Sequence, residues 1–195
     1  MPAPITEEQA HRDRELLLDA AERLFYERGI RAAGMADVRA VSGLPLKRIY
    51  GFFATKEELA VAMLRRRDER WRGSLAAHVE GVADPRERVL AVFDWLGAWF
   101  AEPGFRGCAW INAYGEAGAT SEDVLAEVRA HKREFRAQIA GWADAAGAGA
   151  VAEAVFLLAE GAMVTAGITG DPAPARHARD AADALLPQRG TTDDR

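Results

Sequence analysis

Cysteine is nearly absent from this chain: of its 195 residues only Cys108 carries a thiol. An intramolecular disulfide is therefore impossible, and a thiolate-rich metal site is excluded. The simplest role for such a residue is that of a small buried hydrophobe. Histidine is scarce too. His11, His78, His131 and His177 are scattered, with no pair four residues apart and no HExxH, so no metal site is expected. There is no GxSxG, no GxGxxG and no phosphate-cradling glycine loop, so neither catalysis nor a cofactor is expected. Alanine alone is as frequent as all the β-branched and aromatic residues that strands favour taken together, which predicts helices almost throughout. The opening stretch MPAPITEEQAHRDR lacks the apolar core, about 7–15 residues long, of a secretory signal. The most apolar run, Val151 to Ile168, is interrupted by Glu153, Glu160 and several glycines and is short for a membrane span. These absences predict a cytoplasmic protein with no membrane association.

What is present is unevenly distributed. The net charge of −5 argues against a nucleic-acid partner. Yet residues 28–56 hold six basic side chains and one acid, whereas residues 73–195 hold eleven basic and eighteen acidic ones. A small basic region on an acidic body is the pattern expected when only that region meets a polyanion.

Periodicity and capping signals place about nine helices. Thr6 with Gln9 forms a capping-box pattern ahead of Leu17, Ala20, Ala21, Leu24 and Phe25, and Gly29 supplies a stop. A short helix from Met35 to Ser42 follows Gly34 and ends at Gly43. Pro45 suits the first turn of a third, whose Ile49 and Phe53 share a buried face while Lys47 and Arg48 stay in water. Thr55 and Glu58 open a long fourth helix with a second capping box. Asp84 and Pro85 start a fifth, with Val89, Val92, Phe93, Leu96, Trp99 and Phe100 on one face. A short sixth, a long charged seventh, an eighth from Ala148 to Ile168 that is apolar nearly all round, and a ninth after Asp171 and Pro172 complete the chain. The tail from Arg189 to Arg195 is expected to fray. No linker divides the parts, so the domain boundary falls in or beside the fourth helix.

Two short helices joined at Gly43, the second carrying exposed cations, meet the physical description of a helix-turn-helix. A long donor on the first turns of the second helix, Lys47 or Arg48, can reach guanine O6 and N7 in a major groove.

From Leu17 to Met63 the chain also resembles the tetracycline-repressor-like (TetR) family of bacterial transcriptional regulators. The residues carrying the resemblance are AAERLFYERG, then MADVRAVSG, then GLPLKRIYGFFATKEEL. It implies phosphate contacts by Tyr50 and by Lys56 beside Thr55 at the start of the fourth helix, a suitable anion site. The chain departs from the family pattern at Pro45, at Lys47, at Phe52 where a phosphate-binding histidine is common, and at Arg39. Lys47 and Arg39 restore charge that the Phe52 change removes, so the expected DNA-binding set is Arg39, Lys47, Arg48, Tyr50, Thr55 and Lys56. The basic run Arg65, Arg66, Arg67, Arg70 and Arg72 is expected to form a solvated or interdomain face.

The implied plan is an all-α protein: a three-helix helix-turn-helix DNA-binding domain over residues 1–62, then a larger helical ligand-binding and dimerisation domain over residues 63–195. In the family the last two helices pair with those of a second subunit. An eighth helix without a polar face independently calls for cover, and Val151, Val155, Leu158, Ala162, Ala181 and Leu185 are the expected interface. Aromatic residues crowd the fifth and sixth helices, and an effector pocket is expected from Trp95, Trp99, Phe100, Trp110, Asn112, Tyr114 and Glu116. The expected function is a homodimeric repressor that binds a near-palindromic double-stranded operator and is released by a small-molecule effector. The rival is an all-helical small-molecule-binding or enzymatic protein that does not use its helix-turn-helix. Glu116 near Asn112 would be its best polar centre, without a base or nucleophile beside it.

Overall fold

The computed structural model describes residues 6–187, and within them the chain forms nine α-helices and no strand. The tail from Arg189 to Arg195, expected to fray, lies outside the described residues.

The capping residues begin the helices, with local departures from the expected bonding. In α1 (Glu7–Arg28) the Thr6 hydroxyl accepts from the Gln9 N–H at 3.2 Å, but the Gln9 amide turns forward to Asp13 at 2.6 Å. Only half of the capping box is made. Before α2 (Met35–Ser42) Gly34 has no side chain to offer, and the Asp37 carboxylate accepts the Gly34 N–H at 2.8 Å. Gly43 closes α2 in the left-handed region at φ 69°, its N–H donating to the Arg39 carbonyl at 3.0 Å. Pro45 sits one residue before α3 (Leu46–Phe52), at the cap rather than in the first turn, and its carbonyl accepts from Arg48 and Ile49. At α4 (Lys56–Glu80) the Thr55 hydroxyl accepts from Glu58 N–H at 3.0 Å, and the Glu58 carboxylate reaches the Ala54 N–H at 2.8 Å. That is one residue beyond the usual capping-box partner.

Five further helices and one short turn follow: α5 (Pro85–Phe100), α6 (Ala109–Ala117), α7 (Glu122–Ala145), a 3-10 turn over Gly149–Val151, α8 (Ala152–Thr169) and α9 (Ala173–Leu185). Two compact units result. One comprises Met1–Arg70 with Ala109–His131, the other Trp71–Cys108 with Lys132–Arg195. α4 is thereby divided between Arg70 and Trp71.

The reason lies in the arginine run on α4. Arg66 is mostly buried and pairs with Glu15 at 2.8 Å, Asp19 at 2.7 Å and Glu22 at 3.2 Å. Arg67 also reaches Glu22, at 2.8 Å, and lies 4.4 Å from the centre of the Tyr26 ring. Arg70 pairs with the same Glu22, while Arg65 reaches Glu127 of α7 at 2.8 Å. Arg66 and Arg67 are thus drawn out of water onto α1, whereas Arg65 and Arg70 keep exposed side chains while they pair. Burial, the largest single influence, lowers the Arg66 pKa, but the hydrogen bonds and charges of Glu15 and Asp19 outweigh it and leave the pKa raised above the ordinary arginine value. Charge pairing of this sign is present at every pH below the ordinary arginine value and is lost only above it.

In the first unit Leu17, Leu18 and Ala21 of α1, Val38 of α2, Ile49 of α3 and Leu59 and Ala60 of α4 are wholly buried. Each large aliphatic among them contributes roughly 1.5–3 kcal/mol relative to exposure. In the second unit α5 packs on α8 and α9, and α8 packs on α9. Small residues set the spacing. A Cβ at Gly97 would lie 3.4 Å from the Ala175 Cβ, and one at Gly167 would lie 2.8 Å from the Gly107 Cα.

Residues Gly149–Thr169 are long and apolar enough, by length and composition, to cross a membrane, which corrects the expectation that this run is too short. The helix instead buries Val155, Ala159, Ala162, Met163 and Ala166 inside its unit. Its two acids are paired: Glu160 with Lys132 at 2.6 Å and Glu153 with Arg136 at 2.6 Å.

Candidate nucleic-acid interface

Recognition requires a helix that is firmly seated yet exposes donors. Ile49 and Phe53 face inward, as the four-residue spacing predicts, with Ile49 wholly buried. On the other side Leu46 is 38% exposed, Tyr50 is 48% exposed, and Pro45, Lys47 and Gly51 are exposed. Arg39 of α2 is exposed beside an open groove of about 610 Å³ that it lines with Ala36, Ala40, Leu44 and Pro45.

Adjacent cations have different partners. Lys47 has an exposed side chain, but Arg48 does not stay in water: its side chain is 17% exposed and its Nε donates to Asp13 of α1 at 2.8 Å. The guanidinium also lies 5.4 Å from the centre of the Phe52 ring. Asp13 is itself buried. Arg48 thus ties α3 to α1, and the long donor on the exposed face is Lys47. Leu46, outside the expected DNA-binding set, is an apolar member of that face. Its signal was the heptapeptide LKRIYGF: once Ile49 points inward, a residue three before it lies toward the flank.

Thr55 is spent on the α4 cap. Lys56, expected to reach a phosphate, donates to the carbonyls of Ile30 at 2.8 Å, Ala33 at 3.2 Å and Arg31 at 3.4 Å. Its charge lies on the turn between α1 and α2.

Residues 17–63, which hold all of α2 and α3 and the start of α4, match the family model described as bacterial regulatory proteins, tetR family. Over this segment the chain is similar to the TetR family. Among curated relatives it is 29% identical over 116 residues to the HTH-type transcriptional repressor NemR of Escherichia coli strain K12, covering 58% of each chain. It is 29% identical over 128 residues to the HTH-type transcriptional regulator BetI of Rhizobium meliloti, covering 65% of this chain and 62% of that one. The match therefore spans only some three-fifths of these relatives. A solved structure, SCO4454, a TetR-family transcriptional regulator from Streptomyces coelicolor, superposes with a TM-score of 0.83 at 26% identity, covering 90% of this chain and 95% of that one.

Beyond the TetR-family segment, the seven residues expected to line an effector pocket fall into two groups. Trp95, Trp99 and Phe100 of α5 belong to the second unit. There Trp71 meets Trp95 edge-on at 5.2 Å, Trp99 at 5.6 Å and Phe135 at 5.0 Å. The Trp95 Nε1 donates to Ser74 at 3.3 Å. Trp110, Asn112, Tyr114 and Glu116 of α6 belong to the first unit. Trp110 is wholly buried and stacks on His131, ring centres 3.5 Å apart and 3° from parallel. Tyr114 is exposed. Asn112 and Glu116 share a cleft with Phe25, Tyr26, Met63 and Arg67, with about 20 Å³ of free space. That admits one water molecule, not an effector.

The expected dimer residues divide as well. Val155 and Ala162 are buried within their own unit, correcting their assignment to an interface. Val151 and Leu158 are half-buried, and Ala181 and Leu185 are exposed. The apolar side chains that α8 leaves uncovered are Leu157, Val164 and, at 81% exposure, Ile168. An all-round apolar sequence has no period from which to tell inner from outer positions.

Proposed function

We propose that this chain is a DNA-binding transcriptional repressor that works in the cytoplasm as a homodimer and is released from a near-palindromic operator by a small-molecule effector. The observation that carries the reading is the exposed face of α3: Lys47 and Tyr50 beside Leu46, on a helix anchored by Ile49 and Arg48. Lys47 supplies a guanine donor, Tyr50 a phosphate contact, and Leu46 an apolar surface suited to a thymine methyl. Arg39 lies close enough in sequence and exposure to add a phosphate contact. Lys56 and Thr55 act indirectly, by fixing the start of α4 and the turn it supports. The repressor sign follows that of NemR, a transcriptional repressor.

Dimerisation is supported by Leu157, Val164 and Ile168 of α8 with Leu185 of α9, large apolar side chains that a monomer leaves in water. A two-fold dimer presents two recognition helices to half-sites about 34–36 Å apart. Trp95, Trp99 and Phe100, joined by Trp71, are the proposed wall for an apolar effector, which would favour the dimer that no longer fits the operator. The rival enzymatic reading loses its polar centre, because Glu116 accepts a backbone N–H.

The test is a mobility shift with DNA from upstream of the chain's own gene, followed by operator selection. Wild-type protein should bind a two-fold-symmetric motif, and Lys47→Ala should select a different one. No retardation in dilute buffer would end the DNA-binding reading, and an unchanged motif would remove Lys47 from base readout.

A further inference from the structure

We propose that Glu116 is a positioning residue for DNA binding: from α6 it holds the turn between α1 and α2, and with it the seat of the recognition helix. The inference rests on the reading that α3 binds DNA.

The turn Gly29-Ile30-Arg31-Ala32-Ala33 joins α1 to Gly34, the residue that starts α2, and α2 leads through Gly43 into α3. Its backbone groups need partners. Only one bond is internal, from the Ala33 N–H to the Gly29 carbonyl at 3.2 Å. Three of its carbonyls face the Lys56 ammonium, and the Arg31 N–H donates to Glu116 Oε2 at 2.8 Å. A cation on the carbonyl side and an anion on an N–H therefore fix the turn from two other helices.

Gly29 shows that the approach is built in. A Cβ there would lie 2.7 Å from Glu116 Oε2, 2.8 Å from Oε1 and 2.9 Å from the carboxyl carbon. Any side chain would evict the carboxylate, and at φ 90° one would also be strained. The opposite end of α6 is fixed independently. Trp110 stacks on His131, whose Nδ1 lies 2.6 Å from Asp68 of α4. Six residues of helix, about 9 Å, separate that anchor from Glu116. All of these residues belong to the first unit.

The proposal has a sign opposite to simple electrostatics. Removing an acid from a protein that binds a polyanion raises affinity by Coulomb attraction alone. A positioning role demands that truncation lower it, and that an isosteric acceptor restore it.

The experiment compares wild type, Glu116→Gln and Glu116→Ala on the selected operator at several salt concentrations, with thermal melts and hydrogen exchange at the Arg31 amide. Loss of a charge-assisted bond predicts that Glu116→Ala binds about ten- to a hundredfold more weakly per folded molecule, with faster Arg31 exchange. Glu116→Gln keeps an acceptor oxygen and should stay within about threefold of wild type. Equal or tighter binding by both variants would overturn the proposal, as would a loss in Glu116→Ala that vanishes once the folded fraction is counted. Wild-type protein without DNA affinity removes the DNA-binding reading and this one with it, whereas binding that Glu116→Ala leaves intact removes only this one.

Discussion

The recognition helix α3 and helix α8 are both apolar in parts, yet they use their apolar residues differently. In the seven residues of α3 a single side chain, Ile49, is fully buried, and the rest of the helix is held by ends and flanks: Gly43, Pro45 and the Arg48–Asp13 pair. In the eighteen residues of α8 five side chains are buried, while Leu157 and Ile168, equally apolar, stay exposed. A short helix with one anchor can present nearly all its other faces to a partner. A long apolar one covers its own unit on one side and leaves the other in water.

The largest expected effect falls on the single anchor. Ile49→Ala should cost roughly 2–5 kcal/mol in denaturant unfolding and abolish operator binding, because no other fully buried residue of α3 shares its task. A cost within the range of surface substitutions would mean that the flanking contacts seat α3 alone. Next, Arg48→Ala strands the buried Asp13 carboxylate and should lower stability by about 1–3 kcal/mol, with the preferred operator sequence unchanged. An altered motif in selection would return Arg48 to base readout and weaken its contrast with Lys47. The smallest effect on folding is expected from Ile168→Glu, within about 0.5 kcal/mol for the separated subunit. Sedimentation should show that variant as a monomer where wild type is a dimer. A dimeric Ile168→Glu would place the subunit contact elsewhere and leave the exposed face of α8 without the partner proposed for it.

Much of this was legible in the residues. Thr6, Gly43, Thr55 and Asp84 marked helix ends because capping acts over two or three residues, within reach of sequence. Ile49 and Phe53 announced the inner side of α3 by spacing. What failed depended on groups far apart in the chain. Arg48 is drawn out of water by Asp13, thirty-five residues away, and Lys56 is turned inward by carbonyls of residues 30–33. The aromatic residues of α5 and α6 adjoin in sequence, yet the two helices belong to different units. Glu116 looked like a ligand-binding acid, and no local pattern pointed to Gly29.

By itself, then, the sequence determined the helices, their order and the family that residues 17–63 match, because caps, turns and hydrophobic period are short-range and additive. The tertiary structure alone decided which cations stay free, which side of α8 is inward and what Glu116 touches. Those outcomes depend on which distant charges and backbone groups are left without a partner once the helices pack.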